Sequence, residues 1–405
     1  MLALAPRAAT QPSMTDLAAP VAETVSTPIT AEIAGTRLTL LERGSERLHS
    51  LLGMIDGARS SVRLLFYMLD GDAAGEAVRD ALVRAAERGC DVRLILDGFG
   101  SDIPAGFFDP LKEAGGSSCL FHPRIGVRYL LRNHQKLIVV DDRQAITGGA
   151  NITVDYFSDG ADRRWRDLWL HLDGAAVRAA ARYFDAIHGW TTSPRPRLRD
   201  LRRILHRHTQ RKGALQWQYN GPIRRGHPWT VGLARDLHVA SRLDMISAYF
   251  SPPFAMLRRL GKLGARGKVR ILTAARSDNQ ATIHAARHTY SRLLRSGVRM
   301  HEYLPEKLHT KLLILDDVVH LGSANFDFRS LYLNLEIMLR IDDPGFAAQM
   351  RGYFERELAR SQEITPDLHR HRASWWKRLK WTLSHFLVTA VDYTVTRRLN
   401  FGAER

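Results

Sequence analysis

The most informative segment of the chain reads His309-Thr310-Lys311-Leu312-Leu313-Ile314-Leu315-Asp316, and it precedes the turn Gly322-Ser323-Ala324-Asn325. The same pattern occurs earlier as His134-Gln135-Lys136-Leu137-Ile138-Val139-Val140-Asp141, followed by Gly148-Gly149-Ala150-Asn151. In both copies histidine and lysine stand two positions apart, so they would share one face of an extended strand. The four apolar residues after each lysine predict a buried strand. One copy alone would fit a solvated strand end equally well, but two copies predict a pair of catalytic strands.

Other elements repeat with the motif. The first half predicts a strand, a helix and a second strand in a parallel crossover, at residues 61–68, 75–88 and 92–97. The second half predicts the same order at residues 245–250, 255–263 and 269–273. The separation between copies is nearly the same at the motif histidine as at the second strand. This near-constant offset predicts a duplicated α/β domain, whose pseudo-twofold axis would bring His134 and His309 face to face.

A chain of 405 residues is too long for one ordinary core and predicts two domains with peripheral segments. The predicted division is a disordered leader at residues 1–34, a first domain at 35–193, a basic linker at 194–214, a second domain at 215–365 and a tail at 366–405. The leader is rich in Ala, Thr and Pro, and it lacks the basic start and apolar core of a secretory signal.

The cysteines and histidines predict no cofactor. Cys90 and Cys119 cannot make a disulfide framework, and neither stands in a metal-ligand spacing with histidine. We expect two inert thiols in a reducing compartment and no zinc site.

The net charge of +17 predicts an anionic partner, either nucleic acid or an anionic membrane surface. Most of this charge lies in residues 195–212, with a net +7, and in residues 370–405, with a net +6. The motif-bearing halves are therefore close to neutral. Because a nuclease needs its basic groove beside the chemistry, this distribution disfavours a nucleic-acid partner.

Two peripheral segments are candidates for membrane contact, although no apolar run reaches the ~18 residues of a spanning helix. In the linker, Leu198, Leu201, Ile204 and Leu205 have helical spacing and predict an amphipathic helix, either a solvated linker or a lipid-contacting helix. In the tail, the tryptophans of residues 375–381 cluster beside Lys and Arg. This pattern favours interfacial membrane binding over simple packing on the second domain.

The doubled motif resembles that of the phospholipase D superfamily, and the surrounding sequence is similar to its bacterial cardiolipin synthase branch, in the form without amino-terminal membrane spans. The phrases that carry the branch resemblance are Gly98-Phe99-Gly100-Ser101, Gly148-Gly149-Ala150-Asn151-Ile152, and Asn325-Phe326-Asp327-Phe328-Arg329-Ser330 with Asn334-Leu335-Glu336. The likeness runs from about Leu38 to about Ser361. It implies two phospholipase D-type domains, each a mixed sheet flanked by helices, with one active site at their interface. Residues 98–100 are expected to form a tight turn rather than a phosphate-binding loop.

Imidazole suits phosphoryl transfer because it is nucleophilic when neutral and moves protons near neutral pH. The resemblance implies that His134 forms a phosphohistidine intermediate and that His309 protonates the leaving alcohol. Lys136 and Lys311 would stabilise the negative charge on pentacoordinate phosphorus, so that no divalent metal is required. The expected hydrogen-bond donors to its oxygens are Asn151, Ser323, Asn325 and, where Gly149 replaces the commoner serine, a backbone amide.

Four carboxylates accompany the motifs. Asp141 and Asp316 complete the motif and are counted with its catalytic residues, but their position beyond the buried strands predicts structural anchors. Asp167 and Glu336 each follow a motif histidine by a few tens of positions. The resemblance implies that these two fix the histidine tautomers, although an ion pair with Arg166 fits Asp167 nearly as well.

Tyr67 and Tyr249 hold like places in the two halves. They could line the pocket, but aromatic core is favoured for both.

The resemblance implies a cardiolipin synthase that transfers a phosphatidyl group between phosphatidylglycerol molecules and releases glycerol. It also implies a peripheral location at the cytoplasmic face of the bacterial inner membrane. Three alternatives stay open: a phospholipase D that transfers to water, a phosphodiesterase or nuclease, and a non-catalytic lipid-binding module.

Overall fold

The computed structural model describes residues 28–121, 131–159, 165–222 and 227–390. Strands of the first half are β1 (Thr30–Ile33), β2 (Thr36–Leu41), β3 (Ser61–Phe66), β4 (Asp91–Asp97), β5 (Ser117–Phe121), β6 (Leu137–Val140), β7 (Gln144–Gly148), β8 (Trp165–Arg166) and β9 (Trp169–Gly174). Those of the second half are β10 (Leu215–Asn220), β11 (Arg242–Ser247), β12 (Phe250–Ser251), β13 (Lys268–Ala274), β14 (Arg299–Tyr303), β15 (Lys307–Leu308), β16 (Lys311–Leu315), β17 (Val318–Gly322), β18 (Phe326–Asp327), β19 (Glu336–Asp342) and β20 (Ser361–Ile364).

Helices flank these strands in both halves. They are α1 (Gly44–Asp56), α2 (Ala73–Glu87), α3 (Asp109–Glu113), α4 (Val154–Phe157), α5 (Val177–Thr192), α6 (Leu198–His208), α7 (Pro228–Val239), α8 (Phe254–Arg266), α9 (Gln280–Arg295), α10 (Phe328–Tyr332), α11 (Pro344–Ala359), α12 (Pro366–Arg372) and α13 (Trp375–Ala390). None of the described helices has the length and apolar character that crossing a bilayer requires.

Two eight-stranded sheets carry the duplicated plan. The first has the order β1-β2-β9-β7-β6-β3-β4-β5 and the second β10-β19-β17-β16-β11-β13-β14-β20. In the first sheet β3 pairs with β4 in parallel and with β6 antiparallel, and in the second β11 pairs in the same way with β13 and β16. Both sheets are therefore mixed. The predicted α/β class, the duplication and the parallel crossover are confirmed.

The motif strands β6 and β16 lie inside the sheets, and every residue of both is buried. The motif histidines, however, precede these strands, so the prediction that each shares a regular strand with its lysine is wrong. Each histidine backbone is instead bonded to the opposite half. The N–H of His134 donates to the Leu335 carbonyl at 2.9 Å, and that of His309 donates to the Arg166 carbonyl at 2.8 Å.

A continuous apolar core joins the two halves. Tyr183 of α5 stacks on Tyr219 of β10, with ring centroids 3.5 Å apart. Leu201 and Leu205 of α6 are fully buried in the same core. The predicted amphipathic helix of the linker is thus present, but its apolar face packs on protein, and neither the solvated-linker nor the lipid-contacting interpretation describes that face.

The two ends of the chain differ in part from expectation. The predicted leader extended to residue 34, but residues 30–33 form β1, because their backbone pairs antiparallel with β2 and Ile33 is buried. Residues 1–27 and 391–405 lie outside the described residues. The described part of the tail forms α12 and α13, and α13 packs along α9.

Candidate active site

A pocket of about 240 Å³ opens where the two halves meet. His134 and Asn151 line it from the first half, and His309 and Asn325 line it from the second. The repeated turns after β7 and β17 supply the two asparagines, while the segments that enter β6 and β16 supply the histidines. The duplicated motif therefore converges on one site, as the sequence predicts.

His134 is held by a carboxylate of the opposite half. Its Nδ1 lies 3.1 Å from both carboxylate oxygens of Glu336. Glu336 is fully buried at the start of β19, and it also accepts a hydrogen bond from the Ser323 hydroxyl. Because a carboxylate accepts hydrogen bonds, Nδ1 of His134 carries the hydrogen and Nε2 keeps its lone pair.

His309 has a matching partner. Its Nδ1 lies 2.6 Å from Oδ2 of Asp167, whose Oδ1 accepts the N–H of Leu168 at 2.7 Å. Asp167 is fully buried between β8 and β9. Arg166 instead pairs with Glu357, at 2.5 Å. The ion-pair interpretation of Asp167 is therefore wrong, and its predicted contact with a motif histidine is present.

The pairing of histidines with carboxylates crosses between the halves. Sequence spacing associates each carboxylate with the histidine that precedes it, yet Glu336 contacts His134 and Asp167 contacts His309. Each half thus contributes one histidine and the carboxylate that orients the histidine of the other half.

Lys136 and Lys311 are buried beside the histidines. The ammonium of Lys136 donates to the His134 carbonyl at 2.7 Å, and that of Lys311 donates to the His309 carbonyl. Burial lowers the pKa of Lys136 to about 7 and that of Lys311 to about 8. Both side chains consequently change charge near neutral pH.

Burial also lowers the pKa of both histidines, to about 4 for His134 and about 3 for His309. After burial, the largest cause at His309 is the positive charge of Lys311. Both imidazoles are therefore neutral at pH 7 in the free protein. An anionic phosphate entering the pocket would offset the lysine charge and raise the pKa of His309.

The predicted phosphate donors divide into two groups. Asn151 and Asn325 line the pocket, and within the described ranges the Oδ1 of each is buried without a hydrogen-bond partner. Ser323 instead donates its hydroxyl to Glu336, and the N–H of Gly149 donates to the Leu168 carbonyl at 3.1 Å. The latter two therefore support the carboxylate-bearing segments and do not face the pocket as phosphate donors.

The motif carboxylates Asp141 and Asp316 do not line the pocket. Asp141 accepts the N–H groups of residues 59–61, at 2.8–2.9 Å, where the chain enters β3. Asp316 accepts those of Ser241 and Arg242, at 3.0 and 2.9 Å, where the chain enters β11. The prediction that counted them with the catalytic residues is wrong, because neither carboxylate lines the pocket. Their interpretation as structural anchors agrees with these hydrogen bonds.

Two tyrosines lie at the site, although the sequence favours the apolar core for both. Tyr67 meets the His134 ring edge-on with centroids 4.9 Å apart, and Tyr249 meets His309 at 5.9 Å. Both line the pocket, so the preference for aromatic core is wrong. Their equivalent positions in the two halves were the feature of the sequence that indicated a place in the pocket.

Sequence reasoning missed an aromatic pair beside His309. Tyr156 and Trp165 stack on each other with centroids 5.6 Å apart, and both meet the His309 ring edge-on at 5.2 and 5.3 Å. Their place between Asn151 and Asp167 in the sequence was the available signal.

Asp97 was missed as well. This buried side chain accepts the N–H of Asn133 at 2.7 Å, which fixes the backbone just before His134. It also accepts the N–H of Phe99 at 2.9 Å, so the glycine-containing segment is a tight turn, as expected. Burial raises the pKa of Asp97 to about 6. In the part of the chain that the structure describes, no three His, Cys, Asp or Glu side chains cluster as metal ligands.

The chain is similar to proteins of known family. The chain matches the family model described as "Cardiolipin synthase, PLD-like domain" over residues 51–187 and 235–358. It is similar to Cardiolipin synthase A of Pseudomonas aeruginosa, at 31% identity over 84% of this chain and 70% of the relative. Cardiolipin synthase A of Pseudomonas putida is 31% identical over 83% of this chain and 71% of the relative.

Two solved structures share the fold at 14% identity. Phosphatidylserine synthase of Haemophilus influenzae has a TM-score of 0.67, and the match covers 89% of this chain and 95% of that protein. Polyphosphate kinase of Porphyromonas gingivalis has a TM-score of 0.57, and the match covers 82% of this chain and 49% of that protein.

Proposed function

The chain belongs to the cardiolipin synthase, PLD-like domain family of the phospholipase D superfamily, and from this premise we propose that it joins two phosphatidylglycerol molecules into cardiolipin and glycerol. As a member of this family it is a phosphatidyltransferase. The observation that carries the proposal is the single pocket in which two carboxylate-held histidines meet.

In the first step, Nε2 of His134 attacks the phosphorus of one phosphatidylglycerol. His309 takes up a proton from solvent when the anionic phosphate binds beside it. The bond from phosphorus to the glycerol headgroup then breaks, and His309 donates this proton to the leaving oxygen. In the second step, His309 takes the proton of a hydroxyl on another phosphatidylglycerol. That oxygen attacks phosphorus, the bond to His134 breaks, and both histidines return to their initial states.

The carboxylate contacts support this division of roles. The His309 ring nitrogen is 2.6 Å from Asp167, which stabilises the imidazolium that a general acid requires. Glu336 lies farther from His134, at 3.1 Å, and its charge is shared with the Ser323 hydroxyl. With a pKa of about 4, His134 is neutral at pH 7, as a nucleophile must be.

Charge stabilisation comes from the remaining motif residues. Lys136 and Lys311 place positive charge beside the histidines, where pentacoordinate phosphorus gathers negative charge. The amides of Asn151 and Asn325 line the same pocket and can donate to the phosphate oxygens.

The proposed location is peripheral, at the cytoplasmic face of the inner membrane, because both substrates are bilayer lipids. The free thiols of Cys90 and Cys119 are consistent with a reducing compartment. The charge of +17 favours an anionic surface.

The test is incubation of the purified protein with phosphatidylglycerol vesicles and a chelator, followed by chromatography of the products. We expect cardiolipin and free glycerol, whereas phosphatidic acid alone would assign a hydrolase. His134→Ala and His309→Ala should each lower the rate by at least about 10²–10⁴-fold.

A phosphatidyl nitrophenol distinguishes the two roles, since its leaving group needs no proton. We expect His309→Ala, but not His134→Ala, to regain nitrophenol release. The opposite pattern would reverse the assignment.

A further inference from the structure

Three adjacent helices of the second half form a strongly basic surface. Helices α8, α9 and α13 contain ten lysine and arginine residues and no aspartate or glutamate. Helix α9 lies in the middle, because Arg292 stands over the Phe254 ring of α8 at 4.3 Å and His288 stacks on His385 of α13 at 4.7 Å. No carboxylate within these three helices therefore offsets the positive charge of their lysines and arginines.

The same surface exposes large apolar side chains. On α13 an adjacent pair of tryptophans is followed by apolar residues every three or four positions, and the exposed fractions are 64% for Trp375, 58% for Trp376, 53% for Leu379, 55% for Leu383 and 61% for Phe386. The opposite side of α13 is buried at Trp381 and Val388. The helix thus has two apolar faces, of which only one is covered by the described residues. A helix that faced only water would carry polar residues on its outer face.

The carboxyl-terminal end of α13 lies at the active-site pocket. Val388, in the last turn of α13, lines that pocket together with Thr282 from the first turn of α9. The residues farther along α9, such as His288, meet earlier residues of α13, so the two helices run antiparallel. A flat partner resting on α13 would therefore lie beside the pocket entrance.

We infer that this surface docks on an anionic lipid bilayer. The docking face consists of Phe254, Trp375, Trp376, Leu379, Leu383 and Phe386. Its apolar side chains would enter the headgroup region, while the exposed cations around them meet lipid phosphates. The docking surface is argued independently of the proposed function. Only its role, which is to bring bilayer phosphatidylglycerol to the pocket, rests on that function.

A cavity of about 340 Å³ between α7 and α8 adds to the charge argument. Arg258, Arg259 and Lys262 line it beside Phe254, at one end of the docking face. Anionic headgroups would find three cations there next to an apolar side chain. Nucleic acid would satisfy the cations but would leave the tryptophans and leucines of α13 in water, and a second copy would bring two cationic faces together.

The experiment is sedimentation of the full chain with vesicles of phosphatidylcholine, with and without phosphatidic acid. Phosphatidic acid has no headgroup alcohol to release, so binding is measured without turnover. We expect binding to need the anionic lipid. The variant Leu379→Glu/Leu383→Glu should lower partitioning by about tenfold or more, because it removes two apolar contacts and adds repulsion. The matched control is Leu120→Glu, which changes a residue of similar exposure, 51%, on β5 of the first half.

A charge series tests the cations separately. Lys377→Glu/Lys380→Glu should also lower partitioning by about tenfold or more, since each basic residue near an anionic surface contributes severalfold. Arg199→Glu/Arg203→Glu makes the same charge change on the basic helix α6, and it should have little effect. Equal losses from both pairs, or unchanged binding of the leucine variant, would overturn the inference. Competition by duplex DNA that depends on the same leucines would reassign the surface to nucleic acid.

Activity on a short-chain, water-soluble phosphatidylglycerol separates docking from catalysis. Both docking variants should keep the kcat/KM of the parent on this substrate, which shows that the pocket is intact. If the parent forms no cardiolipin but binds vesicles in the expected pattern, the proposed function fails and the docking surface stands. Loss of activity on the soluble substrate in both docking variants would overturn the inference, because the face would then support the pocket itself.

Discussion

His134 and His309 occupy equivalent positions in two copies of one motif, but their surroundings differ. A glutamate shared with Ser323 holds His134, whereas an aspartate at 2.6 Å and a pair of stacked aromatic rings surround His309. A symmetric pair of imidazoles is thus placed in unlike environments. This difference fits the proposed roles, in which His134 is the nucleophile and His309 is the acid and base.

The buried lysines predict an unusual pH dependence. Each lysine is charged below its pKa, so with pKa values of about 7 for Lys136 and about 8 for Lys311 their charge is lost as the pH rises through this window. Because His309 must also gain a proton, kcat/KM on soluble substrate should already decline with rising pH below 7, and we expect the decline to steepen from about pH 7 upward, well below the range of an exposed lysine. The low pKa of His134, about 4, keeps the nucleophile neutral on the acid side.

The measurement is kcat/KM from about pH 5 to about pH 9, with circular dichroism as a check that the protein stays folded. A rate that stays constant to the alkaline end would contradict the proposed role of the lysines.

The residues proposed to carry the chemistry could be predicted because the motif repeats, and both motif histidines do line one pocket, with the two lysines buried beside them. The pairing of Asp167 with His309 could not, since spacing along the chain does not report which half lies opposite. Tyr67 and Tyr249 were misjudged for a related reason. An aromatic residue at a strand end has the same sequence pattern whether it faces a core or a pocket.

Among the elements, the turn after β7 shows why one copy of the repeat has glycine where the other has serine. A Cβ atom at Gly149 would lie 2.4 Å from Oδ1 of Asp167 and 2.6 Å from Oδ2. The glycine therefore leaves space for the carboxylate that holds His309. In the second copy, Ser323 is accommodated and bonds Glu336.

Gly149→Ala should accordingly displace Asp167 and misplace the tautomer-fixing contact of His309. We expect transfer to fall by about 10²-fold or more, with a smaller effect on vesicle binding. The control is Gly53→Ala on α1, where an added Cβ meets no atom within 4 Å. Transfer comparable to the parent in Gly149→Ala would show that Asp167 does not position His309.

The linker illustrates what periodicity does and does not determine. Leu201 and Leu205 have the spacing of an amphipathic helix, and α6 forms as predicted. The pattern does not reveal whether lipid, water or protein covers the apolar face. That depends on how α5 and β10, the elements directly before and after α6 in the chain, fold back onto it.

Across the molecule, a buried ion pair ties the two halves together. Arg166 of β8 lies 2.5 Å from Glu357 of α11, and their side chains are only 5% and 1% exposed. The Arg166 carbonyl also accepts the N–H of His309. The ion pair therefore fixes the backbone that holds His309, the proposed acid and base, as well as the domain interface.

Glu357→Gln should lower the free energy of unfolding by about 3 kcal/mol, because it leaves Arg166 buried with reduced compensation. The matched control is Asp56→Asn, which breaks the exposed pair with Arg84 and should cost at most about 1 kcal/mol. Denaturant unfolding followed by tryptophan fluorescence gives both values. A loss in Glu357→Gln no larger than in the control would show that the pair does not stabilise the interface.

The crossing of histidines and carboxylates has a consequence for tolerance to mutation. Duplicated segments often provide redundancy, because one copy can retain the function when the other is damaged. Here each copy lends its carboxylate to the other's histidine, so damage to either copy also reaches the chemistry of its counterpart. Although the motif occurs twice, neither copy can replace the other.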